Sequence, residues 1–269
     1  MVAFAGNSVL CRAGLGGDTI DAASFTLIRL ASGAVTLLLI VSALNRKSRP
    51  KYRGNWMSAA MLFFYAVTFS FAYLHLSTGT GALILFGAVQ VTMIMAALWS
   101  GERPRVVEWS GMAIALSGLV YLLLPGLTAP SPTGAALMAL AGMSWGVYSL
   151  RGRTNTNPLT ETAGNFVRAV PFAVIVSVIA IRQASLTTDG VLLAVASGAL
   201  ASGVGYAIWY TALKGLTVTR AAAVQLSVPV LAAVGGVVFL AETVSMRLVL
   251  SAALILGGIG LAVAKRPAR

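Results

Sequence analysis

The chain has 269 residues, 58% hydrophobic and only 10% charged, with a mean hydropathy of +0.88 and a formal net charge of +12. A soluble domain carries about a quarter charged residues, so this composition excludes a water-soluble globular protein and fits a chain embedded in lipid. An excess of positive charge would suggest nucleic acid in a soluble protein, whereas here the basic residues fall between apolar blocks and read as topology signals.

Ten apolar blocks follow in order, near 1–14, 22–44, 56–75, 80–99, 107–124, 133–150, 162–181, 190–212, 220–240 and 246–264. Most are long enough, as helices, to cross the roughly 30 Å hydrocarbon layer. They predict an all-α integral membrane protein with ten transmembrane helices. The first block is short and lacks the basic leader and cleavage site of a signal peptide; the expectation is that helix 1 starts upstream and this chain begins inside it. The longest connection, 45–55, has no room for a soluble domain. The single cysteine, Cys11, excludes an internal disulfide and reads as a small buried residue.

Five basic residues, Arg46, Lys47, Arg49, Lys51 and Arg53, stand in the second connection, pairs follow in the fourth, sixth and eighth, and three more lie in the tail. The odd-numbered connections hold only Arg182 and Arg247. Lys and Arg collect on the cytoplasmic side, so both termini are predicted to face the cytoplasm. Arg29 and Arg168 lie inside the second and seventh blocks, where an arginine needs protein, water or a ligand around it.

The two halves repeat one another. Ala97–Leu119 matches Val237–Ile259, with Glu102 against Glu242, Ala113 against Ala253, Leu116 against Leu256 and Gly118 against Gly258. Ala3–Ser8 (AFAGNS) matches Ala139–Ser144 (ALAGMS), and FTLIR ending at Arg29 aligns with GNFVR ending at Arg168. An odd number of spans per half makes the copies insert in opposite directions. The organisation predicted is a five-plus-five inverted repeat, residues 1–124 and 133–264, of the kind found in secondary transporters with a midplane site between the halves.

With the arginines of helices 2 and 7, the segments GERPRVVEWSGMAIALSGLVYLL and AETVSMRLVLSAALILGGIGLAV, and Pro229 thirteen residues before Glu242, the chain resembles the drug/metabolite transporter superfamily and its ten-helix EamA-type exporters. Val89 stands in the first half where that family often has proline. The chain is also similar to the aromatic amino-acid exporters of Gram-negative bacteria (the YddG type). The resemblance implies a central cavity lined by helices 1, 3, 4, 6, 8 and 9, and alternating access between the two halves.

Polar and aromatic residues near the predicted midplane are the candidate substrate ligands: Asn7, Tyr65, Gln90, Trp145, Tyr148, Tyr206 and Gln225, with Thr68, Ser202 and Ser227 beside them. Amides can bind a zwitterion, and aromatic faces can receive an apolar side chain or an ammonium group. For each a structural alternative stands: an intramembrane glutamine bonds a neighbouring helix, and aromatic residues near helix ends, such as Trp99 and Trp209, anchor at the interface. Arg29 and Arg168 either hold an anion or pair with backbone carbonyls. Glu102 and Glu242 are expected to cap helices 5 and 10. Pro229 is a candidate hinge and Pro171 a second bend, each with a static kink as the alternative. Small-residue faces at Gly111/Ala115, Ala201/Gly205 and Ala232/Gly236 predict close helix contacts.

No nucleophile with its base, carboxylate pair or metal cluster can be assembled from the sequence, so neither an enzyme nor a cofactor is expected. All seven acidic residues fall in connections or at helix ends. A proton pump keeps a carboxylate within the membrane, so a uniporter or an exporter with weak or unusual ion coupling is expected. The reading favoured by the residues is an exporter of amino acids, aromatic or other neutral ones, or of similar small metabolites, with small-molecule substrate and lipid bilayer as its partners. The alternatives are nucleotide-sugar or phosphate-ester exchange resting on Arg29 and Arg168, drug transport, or a lipid-modifying enzyme.

Overall fold

The computed structural model describes residues 1–44, 53–99, 106–124, 126, 129–152, 157–213, 225 and 227–263. Seven helices come first: α1 (Val2–Gly16), α2 (Ala22–Leu44), α3 (Trp56–Tyr73), α4 (Thr78–Trp99), α5 (Val106–Leu123), α6 (Pro132–Gly152) and α7 (Pro158–Ile179). A 3-10 turn at Ile181–Gln183 leads to α8, which has three contiguous parts. These are an α-helical stretch Thr188–Ala196, a π-helical stretch Ser197–Val204 and an α-helical stretch Gly205–Leu213. Then come α9 (Ser227–Leu240) and α10 (Met246–Val263). Five segments are long and apolar enough to cross a membrane: Ala22–Leu44, Trp56–Tyr73, Thr78–Ala96, Pro158–Ile179 and Thr188–Trp209.

The block 22–44 coincides with α2. The block at 162–181 corresponds to a helix that starts earlier, at Pro158. A proline in the first turn and Glu161 near the positive end of the helix dipole favour a start that hydropathy alone does not register. Five helix starts are closed by a short polar side chain just before the helix. Asp21 accepts from the N–H groups of Ala23 and Ser24, and Asn55 from Ser58. Ser131 accepts from Gly134, Thr187 from Gly190 and Ser245 from Leu248. These bonds satisfy backbone donors that have no partner within the first helical turn.

Helices 5 and 10 form one tight pair. A Cβ at Gly258 would sit 2.5 Å from both the Gly111 carbonyl oxygen and the Ala115 nitrogen, closer than any side chain permits. The two backbones therefore meet at the small face expected around Gly111 and Ala115. The other helices pack in corresponding sets. α3 lies against α6 as α8 lies against α1, α4 against α6 as α9 against α1, and α3 against α7 as α8 against α2. Adding or subtracting five converts each contact into its counterpart. The aromatic and apolar core lies where these sets cross, around Tyr65, Phe69, Trp145, Phe166 and Tyr206.

Candidate functional site: a closed central cavity

Four of the predicted ligands converge. Asn7 on α1, Tyr65 on α3, Trp145 on α6 and Tyr206 on α8 line one cavity with Phe4, Ser8, Phe69, Leu85 and Phe86. Asn7 Nδ2 donates to the Tyr65 hydroxyl at 3.3 Å, and Ser197 Oγ donates to Asn7 Oδ1 at 2.5 Å. The Tyr65 hydroxyl also accepts from Arg29 Nη2 at 3.0 Å, and Arg29 Nε reaches Ser202 Oγ at 3.5 Å. Two serines of the π-helical stretch thus serve one network. In an α-helix, residues five apart point about 140° away from each other at about 100° per residue. The wider π turn, closed by i→i+5 bonds, brings Ser197 and Ser202 towards one face. Gly198 lets this stretch approach α2, because a Cβ there would run into the Arg29 carbonyl and the Ser32 hydroxyl.

Aromatic rings enclose the network. Trp145 packs on Tyr65 at 5.0 Å, on Tyr206 at 5.2 Å and on Phe4 at 6.2 Å between centroids. Phe4 in turn meets Tyr206 and Trp209 edge-on. The cavity that remains is about 20 Å³, room for about one water. Small-molecule pockets run to several hundred Å³, so the space between these side chains is too small for a substrate-sized molecule.

The end of the bundle opposite the N-terminus is tied by polar contacts. Arg12 Nε lies 3.5 Å from Glu242 Oε1, and Arg12 Nη1 donates to the Tyr73 carbonyl at 2.9 Å. Contrary to the expectation from its place in the sequence, Glu242 does not cap α10; Ser245 does. The carboxylate instead accepts from the Thr78 N–H at 2.9 and 3.0 Å and from the Thr78 hydroxyl at 3.1 Å, capping α4. Ala241, in the left-handed conformation at φ 52°, turns the chain back towards that helix. Nearby, the Thr19 carbonyl accepts from both the N–H and the hydroxyl of Thr187, and the Asp21 N–H donates to Ser185 O. At the other end Arg151 donates to Ser58 and Asn55, and the Asn55 N–H donates to Asn165 Oδ1.

The remaining predicted residues are placed apart. Gln90 is buried but faces a small apolar gap between α4, α5 and α10 rather than Asn7 and Tyr65. Tyr148 is buried and packs on Trp145 at 5.6 Å. Gln225 is helical and half-buried. Pro229, the third residue of α9, borders a separate apolar groove of about 360 Å³ between α4, α9 and α10. Arg168 donates to the carbonyls of Gly164 at 2.9 Å and Arg53 at 3.4 Å. Glu102 lies outside the described residues. Sequence reasoning missed Phe4, Ser197 and the Arg12–Glu242 contact. Phe4 and Ser197 stand out in no composition or motif, whereas an arginine near one helix end and a glutamate opposite it in the topology were a legible signal. No group of three or more His, Cys, Asp or Glu suited to a metal occurs among the described residues.

A model of the EamA-like transporter family matches residues 132–264. A Pseudomonas aeruginosa protein described as uncharacterized is 51% identical over 100% of this chain and 93% of its own length. The threonine/homoserine exporter RhtA of Salmonella typhimurium is 31% identical over 84% of this chain and 76% of its own. A probable terminal-alkyne amino-acid exporter of Streptantibioticus cattleyicolor is 27% identical over 85% and 79%. A crystal structure 20% identical in sequence superimposes with a TM-score of 0.67, covering 97% of this chain and 95% of that one.

Proposed function

Starting from the EamA-like transporter family, to which this chain belongs, we propose that it exports neutral amino acids through the cavity between α1, α3, α6 and α8. The family is one of multi-pass membrane transporters and not of enzymes. The observation that carries the reading is the meeting of Asn7, Tyr65, Trp145 and Tyr206, drawn from both halves of the chain, around one closed space. Amide and hydroxyl groups suit the polar end of an amino acid, and the Trp145 and Tyr206 faces suit its ammonium group.

A threonine/homoserine exporter and a probable terminal-alkyne amino-acid exporter among the relatives favour, of the aromatic or other neutral amino acids expected, the small neutral ones. The paired helix contacts support the five-plus-five inverted repeat, with 1–124 and 133–264 as its units, and with it alternating access. In this mechanism Arg12, Glu242 and Thr78 hold one end shut, and Phe4 and Trp145 close the middle. The basic connections support both termini facing the cytoplasm. Arg168, engaged by the carbonyls of Gly164 and Arg53, speaks against the phosphate-ester reading, which needs a pair of free arginines.

The test is counterflow of labelled threonine, homoserine, phenylalanine and leucine into liposomes holding the purified protein. Counterflow of at least one, abolished by Trp145→Ala, is the expected result. Absence of all four from folded protein overturns the amino-acid reading.

A further inference from the structure

We propose that Arg29 is the residue that grips the substrate's carboxylate in the central site. The inference deepens the amino-acid reading and rests on it. Arg29 is 2% exposed and sits seven residues beyond the start of α2, about 10 Å along it at 1.5 Å per residue. A charge at such depth is expensive unless it is paired.

The partners Arg29 has are all neutral. Nη2 donates to the Tyr65 hydroxyl, Nε makes only the long contact to Ser202, and the guanidinium carbon stands 5.2 and 4.9 Å from the Tyr65 and Phe69 ring centres. Nη1 is shut off from solvent and has no hydrogen-bond partner among the described residues. Arg12 has Glu242, and Arg168, the counterpart of Arg29 in the second half, has two carbonyls. Among the described residues Arg29 therefore carries its charge without a counter-ion.

Arg29 stands directly behind the wall of the cavity. Tyr65 and Phe69, the rings against the guanidinium, are walls of the cavity. Nη1 carries two uncommitted protons, and Nη2 keeps one beyond its bond to Tyr65. Together they form the edge of a guanidinium that binds a carboxylate through two parallel hydrogen bonds. A carboxylate there needs no existing bond to break. It would also reach the Tyr65 hydroxyl, which accepts from Arg29 and Asn7 and has its own proton to give. Repulsion from the guanidinium directs the substrate's ammonium group towards Trp145 and Tyr206.

The experiment compares threonine with threoninamide and threoninol, which keep the amine but lose the carboxylate. Both are tested as competitors of threonine counterflow and as stabilisers of the detergent-purified protein against heat. Neither analogue competes with threonine for the wild-type protein at tenfold excess if Arg29 reads the carboxylate. Arg29→Lys then retains transport with an apparent KM raised about tenfold or more, the loss of one charge-assisted bond. Arg29→Gln no longer distinguishes threonine from its amide. Equal competition by the amide in wild-type protein, or an unchanged KM in Arg29→Lys, overturns the proposal; the wild-type comparison stands even if the variants fail to fold. Should no amino acid be transported, lactate and 2-hydroxybutyrate against their amides decide the matter by thermal stabilisation. Carboxylate-specific stabilisation lost in Arg29→Gln keeps the site while the amino-acid reading falls, and no stabilisation overturns both.

Discussion

Arg12 and Glu242, near opposite ends of the chain, meet with Nε and Oε1 3.5 Å apart, and the same carboxylate caps the first turn of α4. One side chain thereby joins α1, α4 and the turn between α9 and α10. Glu242→Ala leaves the Thr78 N–H without its acceptor, and the expected loss of stability is about 1–3 kcal/mol. Arg12→Ala removes only a partly exposed ion pair and a carbonyl bond, so its loss is smaller, about 1 kcal/mol. Thermal melts of both variants in detergent measure the difference. Equal losses would show that the ion pair, and not the helix cap, holds this end together.

Trp145 touches Phe4, Tyr65, Tyr148 and Tyr206. Trp145→Ala replaces the closing ring of the cavity with a void and is expected to cost about 3–5 kcal/mol. Trp145→Phe keeps an aromatic face and should lose less than half of that. If the two variants melt alike, the ring does not fill the space that the geometry assigns to it.

Asn7 bridges Ser197 and Tyr65. Asn7→Leu leaves the buried Ser197 hydroxyl without its acceptor and takes from Tyr65 one of its two donors, Arg29 remaining. The expected loss is about 1–3 kcal/mol, whereas Ser197→Ala removes one donor and costs about 1 kcal/mol. Both variants should also transport more slowly than wild type. Full transport by Asn7→Leu would remove this residue from the site.

Gly258 allows α5 and α10 to touch at Gly111 and Ala115. Gly258→Leu forces the backbones apart, and overpacking of this kind costs about 1–3 kcal/mol. The expected signature is a lower melting temperature with an unchanged KM, since the pair lies away from Asn7 and Tyr65. A changed KM with an unchanged melt would place α10 in the transport path.

The helices themselves were legible because hydrophobic length is a local property: the block 22–44 became α2 without any knowledge of its neighbours. The residues of the candidate site were half legible. Asn7, Tyr65, Trp145 and Tyr206 were chosen for depth and chemistry, and they do meet. Gln90, chosen on the same grounds, faces α5 and α10 instead. A helix that is apolar all round carries no amphipathic stripe to say which side faces the centre.

The sequence by itself therefore determined a membrane chain of apolar helices and the arginines within them. Only the tertiary structure decided that Arg168 is satisfied by carbonyls while Arg29 keeps a nitrogen with no partner among the described residues. It also decided that Glu242 serves α4 and not α10, and that a π turn aligns Ser197 with Ser202. Composition and spacing act along one helix, whereas hydrogen-bond partners of a buried polar group are set by the rotation and approach of helices far apart in the chain.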